Sequence, residues 1–477
     1  MSEPTPMTAS LSLGARREAA LEHAAAHVLR AWTEFDQARD AESPLSPALR
    51  ARLELPLPEE GKDPLEAIDW AAEVLDTSMA QSRPRFFGYI GSSGLEMGAL
   101  ADLLAHSYDI NLAVDAGAAT ALETQAVDWL AQFLGYPAAT GTFTSGGTVS
   151  NITALTAARE AALPGSRQRG LAGATPTVYC SSEAHYSITR AAETLGIGRD
   201  FVRAIDIDAE RALRVDHLRR ALDEDRAAGC TPIAIVATAG TTLTGAVDPI
   251  DQMADVAAHY GVWLHVDGAY GLPAATVAAC RPRFAGLERA DSVTVDCHKW
   301  MFVPKACSAV LVRDEQRLAA AFAHDEAYVP HAEERLNAVD LTLEYSRPFR
   351  ALKLWLALLT HGAAAVRAAV ARNCAQAQLL HDRASQHPLL ATLERRPTLS
   401  IAPVRVLVPG CGDPDAHTTA LCARLQEDGR VFVSPASIDG SVWLRPCFTN
   451  FRTTDEDVTA LVDVVLELGS RCADLHG

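Results

Sequence analysis

Three short stretches carry side chains whose types and spacing could do chemistry. In SVTVDCHKW (292–300), Lys299 follows an apolar, β-branched run and stands beside His298. An amine held at such a place can condense with an aldehyde to form a Schiff base. In VWLHVDGAY (262–270), Asp267 ends another such run, 32 residues before Lys299. A carboxylate there is costly unless a cation pairs with it, and a protonated pyridine nitrogen is one such cation. Thr144-Ser145-Gly146-Gly147-Thr148 precedes the helical pattern VSNITALTAAREAAL. Small residues opening a helix let backbone N–H groups approach an anion, which the helix dipole favours.

Each stretch alone has an ordinary alternative: an exposed loop lysine, a helix N-cap aspartate, a glycine turn capping a helix. Together they match the aldehyde, ring nitrogen and phosphate of pyridoxal phosphate (PLP). Lysine usage points the same way. Of 42 basic side chains only four are lysines, Lys62, Lys299, Lys305 and Lys353. A guanidinium cannot supply the deprotonated amine that Schiff-base chemistry needs.

These residues need strand ends to hold them. Apolar runs at 175–180, 201–207, 232–238, 262–267 and 292–296 alternate with helical patterns such as 209–226 and 250–261. Such alternation predicts βαβ units and a mostly parallel sheet covered on both faces, with ligands at the strands' carboxyl ends. Residues 1–85 read as an N-terminal helical segment with Pro-rich breaks and 86–345 as the large α/β domain. Residues 346–477 read as a smaller α+β domain: a long helix over 347–386, strands near 402–408, 430–434 and 442–448, and a final helix.

Composition bounds the rest. The chain has 477 residues, 48% hydrophobic and 21% charged, the balance of a globular protein. Its formal net charge of −18 argues against nucleic-acid binding. The start, MSEPTPMTAS, lacks a secretory pattern, and charges are expected to interrupt every apolar run short of a membrane span. Ten cysteines without a CxxC pair suggest reduced thiols in a cytoplasmic protein. No ligand spacing suggests a metal.

In order along the chain, GTFTSGGTVSN, SSEAHYS, ATAGTTLTGAVDPI, HVDGAY, DSVTVDCHKW and LRPCFTNFRTT resemble the group II PLP-dependent amino-acid decarboxylases. That family includes aromatic-L-amino-acid, glutamate and cysteine-sulfinate decarboxylases, and the resemblance spans roughly residues 60–465. It implies the fold type I (aspartate aminotransferase) architecture and decarboxylation of an L-amino acid to the amine and carbon dioxide. The route would run through an internal aldimine on Lys299 and a quinonoid intermediate.

The resemblance also implies roles. Asp267 would pair with the pyridine nitrogen, His185 would stack on the ring, and Thr242 and Ala269 would line it. Gly147, Thr148, His298 and the backbone near Ser346 of the partner subunit would hold the phosphate. Tyr328, in the stretch 324–328, would protonate the α-carbon from a mobile loop. Tyr89 and Ile90, with Asp109, Asn111 and Lys305, fall where relatives contact substrate. Asp109 and Lys305 depart from the apolar or aromatic residues of the aromatic-amino-acid enzymes. They would meet a basic or an acidic side chain, or pair with each other. An obligate homodimer with shared sites is expected, its interface formed partly by the N-terminal helices. The alternatives are an oxidative aldehyde synthase, which would tend to lack His185 or Tyr328, another α-carbon PLP reaction, and a catalytically inert PLP-fold protein.

Overall fold

The alternating pattern resolves, in the computed structural model, into a seven-stranded sheet with a four-stranded sheet beside it. Residues 11–37, 45–324 and 336–470 are described.

Three helices lead the chain: α1 (Arg17–Phe35), α2 (Pro47–Leu53) and α3 (Pro64–Asp76). The last two open on Pro at the first helical position, with Ser46 and Asp63 capping backbone N–H groups. Polar contacts join the α1 and α3 segments along their length: Arg16 pairs with Asp63 and Arg30 with Asp76, and His23 and His27 each hydrogen-bond Asp69. Two further helices, α4 (Glu96–Tyr108) and α5 (Ala118–Leu134), precede the large sheet.

That sheet uses β1 (Thr140–Thr144), then, after α6 (Gly147–Ala162) and the single turn α7 (Ser166–Arg169), β2 (Pro176–Ser181). Helix α8 (Ser187–Thr194) leads to β3 (Val202–Ile205), α9 (Val215–Ala227) to β4 (Thr231–Thr238), and α10 (Ile250–Tyr260) to β5 (Trp263–Asp267). Strands β6 (Ser292–Val295) and β7 (Ser308–Val312) complete it, followed by α11 (Glu315–Phe322). The spatial order is β1-β7-β6-β5-β4-β2-β3, and only β7 runs antiparallel to its neighbours. The inner parallel strands β2, β4, β5 and β6 are buried on both faces, which explains their near-continuous apolar sequences, while the edge strand β3 is only partly covered.

Helix α12 (Ala351–Ser385) runs from this domain into the second, breaking its helical geometry at Gly362, where φ is +75°. Its first part packs into the large core through Leu354, Ala357 and Val370; Ala377, Leu380 and Ala384 belong to the small core. The small sheet, order β10-β11-β9-β8, is antiparallel and uses β8 (Leu390–Thr392), β9 (Val404–Val406), β10 (Pro435–Ile438) and β11 (Ser441–Leu444). Helices α13 (Pro414–Asp428) and α14 (Asp455–Gly469) cover it.

Four expectations need correction. The predicted helix over 209–226 starts only at Val215, because Arg211 sits at φ +61° in a turn closed by the Ile207–Leu213 bridge. There it pairs with Glu183 and with Asp439. The strand expected near 430–434 is a single bridge from Phe432 to Phe86. The strand itself is β10, set by the Asp439-Gly440 turn, whose two positive φ angles suit a tight hairpin. Strand β7 had no counterpart in the sequence reading. Finally, α12 is long and apolar enough, by length and composition, to cross a membrane. Here it carries buried Lys353, Asn373 and Gln376 and packs against α4, α5 and α14.

One buried ion pair anchors the segment that enters α12. The Arg347 guanidinium donates in a fork to both oxygens of Glu123 on α5, at 2.7 and 2.9 Å. Both side chains are nearly inaccessible to solvent. Replacing Glu123 with Leu strands a buried cation, so stability should fall by about 3–5 kcal/mol. The double variant with Arg347→Met should recover most of it, as read from denaturant midpoints.

Candidate active site

The carboxyl ends of β1, β4, β5 and β6 open on one cavity of about 460 Å³. Asp267 is the last residue of β5, in register with Thr238 on β4 and Thr294 on β6. Its Oδ1 accepts the Ala269 N–H (3.1 Å), and its Oδ2 accepts from the Asn151 amide on α6 (2.9 Å). Lys299 lies in the turn after β6, with Nζ 2.7 Å from Oδ2 of buried Asp296. His298 Nδ1 lies against the Cys307 backbone, and its Nε2 is 3.8 Å from Asp296. Burial lowers the pKa of His298 below its usual range.

Helix α6 begins at the cavity without a side-chain cap, so its first N–H groups remain available to an anion. Gly147 has a steric reason to be glycine: a Cβ there would stand 3.0 Å from Asp296 Oδ2 and 3.1 Å from the Ala269 Cβ. His185 follows β2, its Nδ1 2.9 Å from Ser187 Oγ. Burial lowers its pKa most strongly; Asp267 opposes that shift, and Lys299 adds to it. The ring is therefore neutral near pH 7.

Of the residues singled out from sequence, Tyr89, Ile90, Gly147, Thr148, His185, Thr242, Asp267, Ala269, His298 and Lys299 all line this cavity. Asp109, Asn111, Lys305 and Ser346 do not. Asn111 instead bonds Ser346 (3.3 Å) on an exposed surface. The expected alternative of a Lys305–Asp109 pair is not formed within the chain: Lys305 donates to Gln81 Oε1 at 2.7 Å. Tyr328 lies outside the described residues.

The structure adds residues that sequence reasoning missed. Asn151, Asp296 and Arg445 line the cavity, and His265 stands fully buried behind Asn151. Arg445 donates to the Thr242 carbonyl (3.1 Å) and forms no ion pair among the described residues. It stands in the LRPCFTN block, where an arginine in a strand-loop stretch was the available signal. His265 and Asn151 gave none, being 114 residues apart and looking like packing.

Burial pushes the pKa of His265 down to about 4 from 6.5. Between those pH values the unfolded chain binds a proton there that the folded chain refuses, so stability falls as pH falls through that window. The contribution lost is about 3 kcal/mol. The slope of melting temperature against pH between 6.5 and 4 should be visibly flatter for His265→Gln than for the parent.

Two buried polar atoms of cavity-lining residues, Thr238 Oγ1 and Asp296 Oδ1, have no hydrogen-bond partner among the described residues. Buried polar atoms are normally paired, so the cavity suits a polar ligand. An amine, a strand-end carboxylate and an uncapped helix start around it fit PLP.

Comparison with known proteins agrees. Residues 47–392 match the model of the pyridoxal-dependent decarboxylase conserved domain. The chain is 32% identical over 431 residues to an aromatic-L-amino-acid decarboxylase of Bacillus atrophaeus, covering 87% of this chain and 88% of the relative. It is 33% identical over 363 residues to an L-2,4-diaminobutyrate decarboxylase of Rhizobium meliloti, covering 75% and 72%. Its fold superposes on the crystal structure of mouse CSAD with a TM-score of 0.90 at 25% identity, over 96% of this chain and all of that one. The chain thus belongs to the pyridoxal-dependent decarboxylase family, with the type I fold, and is a PLP-dependent amino-acid carboxy-lyase.

Proposed function

We propose that Lys299 carries the cofactor, that Asp267 faces its ring nitrogen, and that Gly147, Thr148 and His298 hold its phosphate. The observation that carries this reading is one cavity holding the Lys299 amine, the Asp267 carboxylate and the uncapped start of α6. His185 and Ala269 would flank the ring, with Thr242 beside it. When bound, PLP supplies a conjugated, cationic ring that accepts the electron pair left on the α-carbon as carbon dioxide departs.

The chain's own groups do the rest. Asp267 would set its carboxylate, held by the Ala269 N–H and the Asn151 amide, against the ring nitrogen. Neutral His185 would cover one face of the ring without adding charge. One proton must reach the α-carbon for each carbon dioxide lost, and Tyr328 is the proposed donor. Arg445 offers a cation to a substrate carboxylate. At the mouth, half-exposed Tyr89 packs near Phe86 and Phe432, whose rings stack at 4.7 Å. This apolar shelf favours an aromatic or other bulky L-amino acid.

A homodimer with shared sites is also part of the proposal. Leu100, Leu103, Leu104 and Tyr108 form an exposed apolar stripe on α4, and Leu21, Val28 and Leu29 are exposed on α1. A second copy is the natural cover for such surfaces, and the exposed Asp109, Asn111 and Ser346 would then serve the neighbour's site. Light scattering should give twice the chain mass; a fully active monomer would refute the shared site. The nine described cysteines are all free, which supports a reducing, cytoplasmic setting; cell fractionation tests it.

The deciding experiment supplies PLP and a panel of aromatic, acidic, basic and branched L-amino acids, and measures carbon dioxide, amine, aldehyde and peroxide. Stoichiometric amine from an aromatic member is expected. Aldehyde with peroxide would move the reaction to the oxidative branch. Turnover of an acidic or basic member alone would refute the aromatic shelf.

A further inference from the structure

A run of buried hydrogen bonds starts behind the sheet and ends at the cavity. Trp263 Nε1 on β5 donates to Ser292 Oγ on β6 at 2.8 Å, and that hydroxyl lies 2.8 Å from His265 Nδ1. His265 Nε2 lies 3.0 Å from Asn151 Oδ1, with Thr294 Oγ1 more distant at 3.4 Å. The Asn151 amide nitrogen then reaches two acceptors, Asp267 Oδ2 and Ser187 Oγ, each at 2.9 Å. Ser187 Oγ in turn lies 2.9 Å from His185 Nδ1.

The proton positions follow from donor counting. An indole N–H only donates, so Ser292 accepts from Trp263 and can give its own proton to His265 Nδ1, the arrangement that the acceptor-only Asp267 carboxylate requires at the other end by taking an Asn151 N–H and turning the amide oxygen to His265. Neutral His265 then carries its proton on Nε2 and donates to the Asn151 carbonyl oxygen. That fixes which end of the amide faces the cavity: both N–H bonds point to Asp267 and Ser187. Ser187, having accepted, donates to His185 Nδ1, leaving the His185 proton on Nε2. The far end is fixed independently, because the Ser187 backbone N–H also points at His185 Nδ1 (3.3 Å) and can only donate. Every link runs in one direction, away from Trp263.

We propose that Asn151 is a positioning residue for both Asp267 and His185, and that the Trp263 indole sets the direction of its hydrogen bonds. The amide and the Ala269 N–H grip one Asp267 oxygen each, which fixes the carboxylate's rotation. The same amide, through Ser187, selects the His185 tautomer. This inference rests on the reading that Asp267 faces the cofactor ring, but its geometry involves only the chain.

The test uses the full-length protein and two readouts. Nitrogen NMR of histidine-labelled apoprotein should show His265 and His185 as Nε2–H tautomers. In Trp263→Phe, Ser292 is freed to turn, and His265 should give mixed tautomer signals. An unchanged single tautomer in that variant would overturn the directional claim. PLP affinity, from quenching of intrinsic fluorescence, should weaken about tenfold or more in Asn151→Ala, as expected on losing a hydrogen bond to a charged group. In an Asp267→Asn background the same substitution should cost markedly less, leaving only the part exerted through Ser187 on His185. Equal losses in both backgrounds would mean that Asn151 acts on the fold and not through Asp267, overturning the proposal. Should Asn151→Ala fail to fold by circular dichroism, Asn151→Ser replaces it in the same comparison. Absence of PLP binding by the parent would instead sink the cofactor assignments, leaving the tautomer result to stand or fall alone.

Discussion

Lys299→Ala is expected to yield a folded protein that retains no PLP after borohydride reduction and loses turnover by about a thousandfold or more. The reason is that, among the described residues, Lys299 is the one lysine lining the cavity. Lys62 sits over the Trp70 ring at 4.3 Å on the N-terminal helices. Lys353 is buried against Asp102 (3.1 Å) and the carbonyls of Lys305 and Ala306. Lys305 points to Gln81, outside the cavity lining. Lys299→Arg separates charge from chemistry. A guanidinium can still pair with Asp296 but cannot form the Schiff base, so this variant should be equally inactive. Borohydride-stable label in either variant, located by peptide mapping, would reassign the attachment site.

Asp267→Asn should lower turnover by about a hundred- to a thousandfold, the scale seen when one preorganised electrostatic contact is removed. The substitution preserves shape but loses the negative charge. It also brings conflict: an amide at 267 can accept the Ala269 N–H through its oxygen, but then turns its nitrogen toward the Asn151 nitrogen. Two donors would face each other where a donor now meets a carboxylate oxygen at 2.9 Å. Asp267→Glu keeps the charge but lengthens the side chain in a site where Asp267 is almost wholly buried. Its loss should be smaller than that of Asn if charge dominates, and larger if placement does. The comparison is read from kcat and PLP affinity together.

Much of this site was legible because its parts sit at strand ends, where sequence changes abruptly from apolar runs to glycine, acid or amine. Asp267 and Lys299 stand out against β5 and β6 for that reason. The residues behind them do not. His265 and Ser292 lie within strands and Asn151 within a helix; the sheet's register pairs the first two, and only the packing of α6 on the sheet brings Asn151 to them. The parallel strands were readable from their length and β-branching. Strand β7 was not, because a short run entered from a loop carries no helix before it to signal a crossover. The Asp439-Gly440 turn was available as a hairpin signal, and its neglect misplaced β10 by several residues. Arg211 shows the reverse: a good helix former by propensity is held at positive φ by partners distant in sequence.

The passage of α12 through both cores has a further consequence. Its early turns complete the large core, and Ala377, Leu380 and Ala384 complete the small one. The segment before α4 ties them again, Phe87 lying in the small core and Leu95 in the large. Melting either core therefore pulls a shared rod and a shared strap out of the other. Calorimetry should show the two regions unfolding as one cooperative transition, and a fragment beginning at residue 346 should not fold by itself. The C-terminal region is a domain in its packing, but in its folding it is part of a single unit.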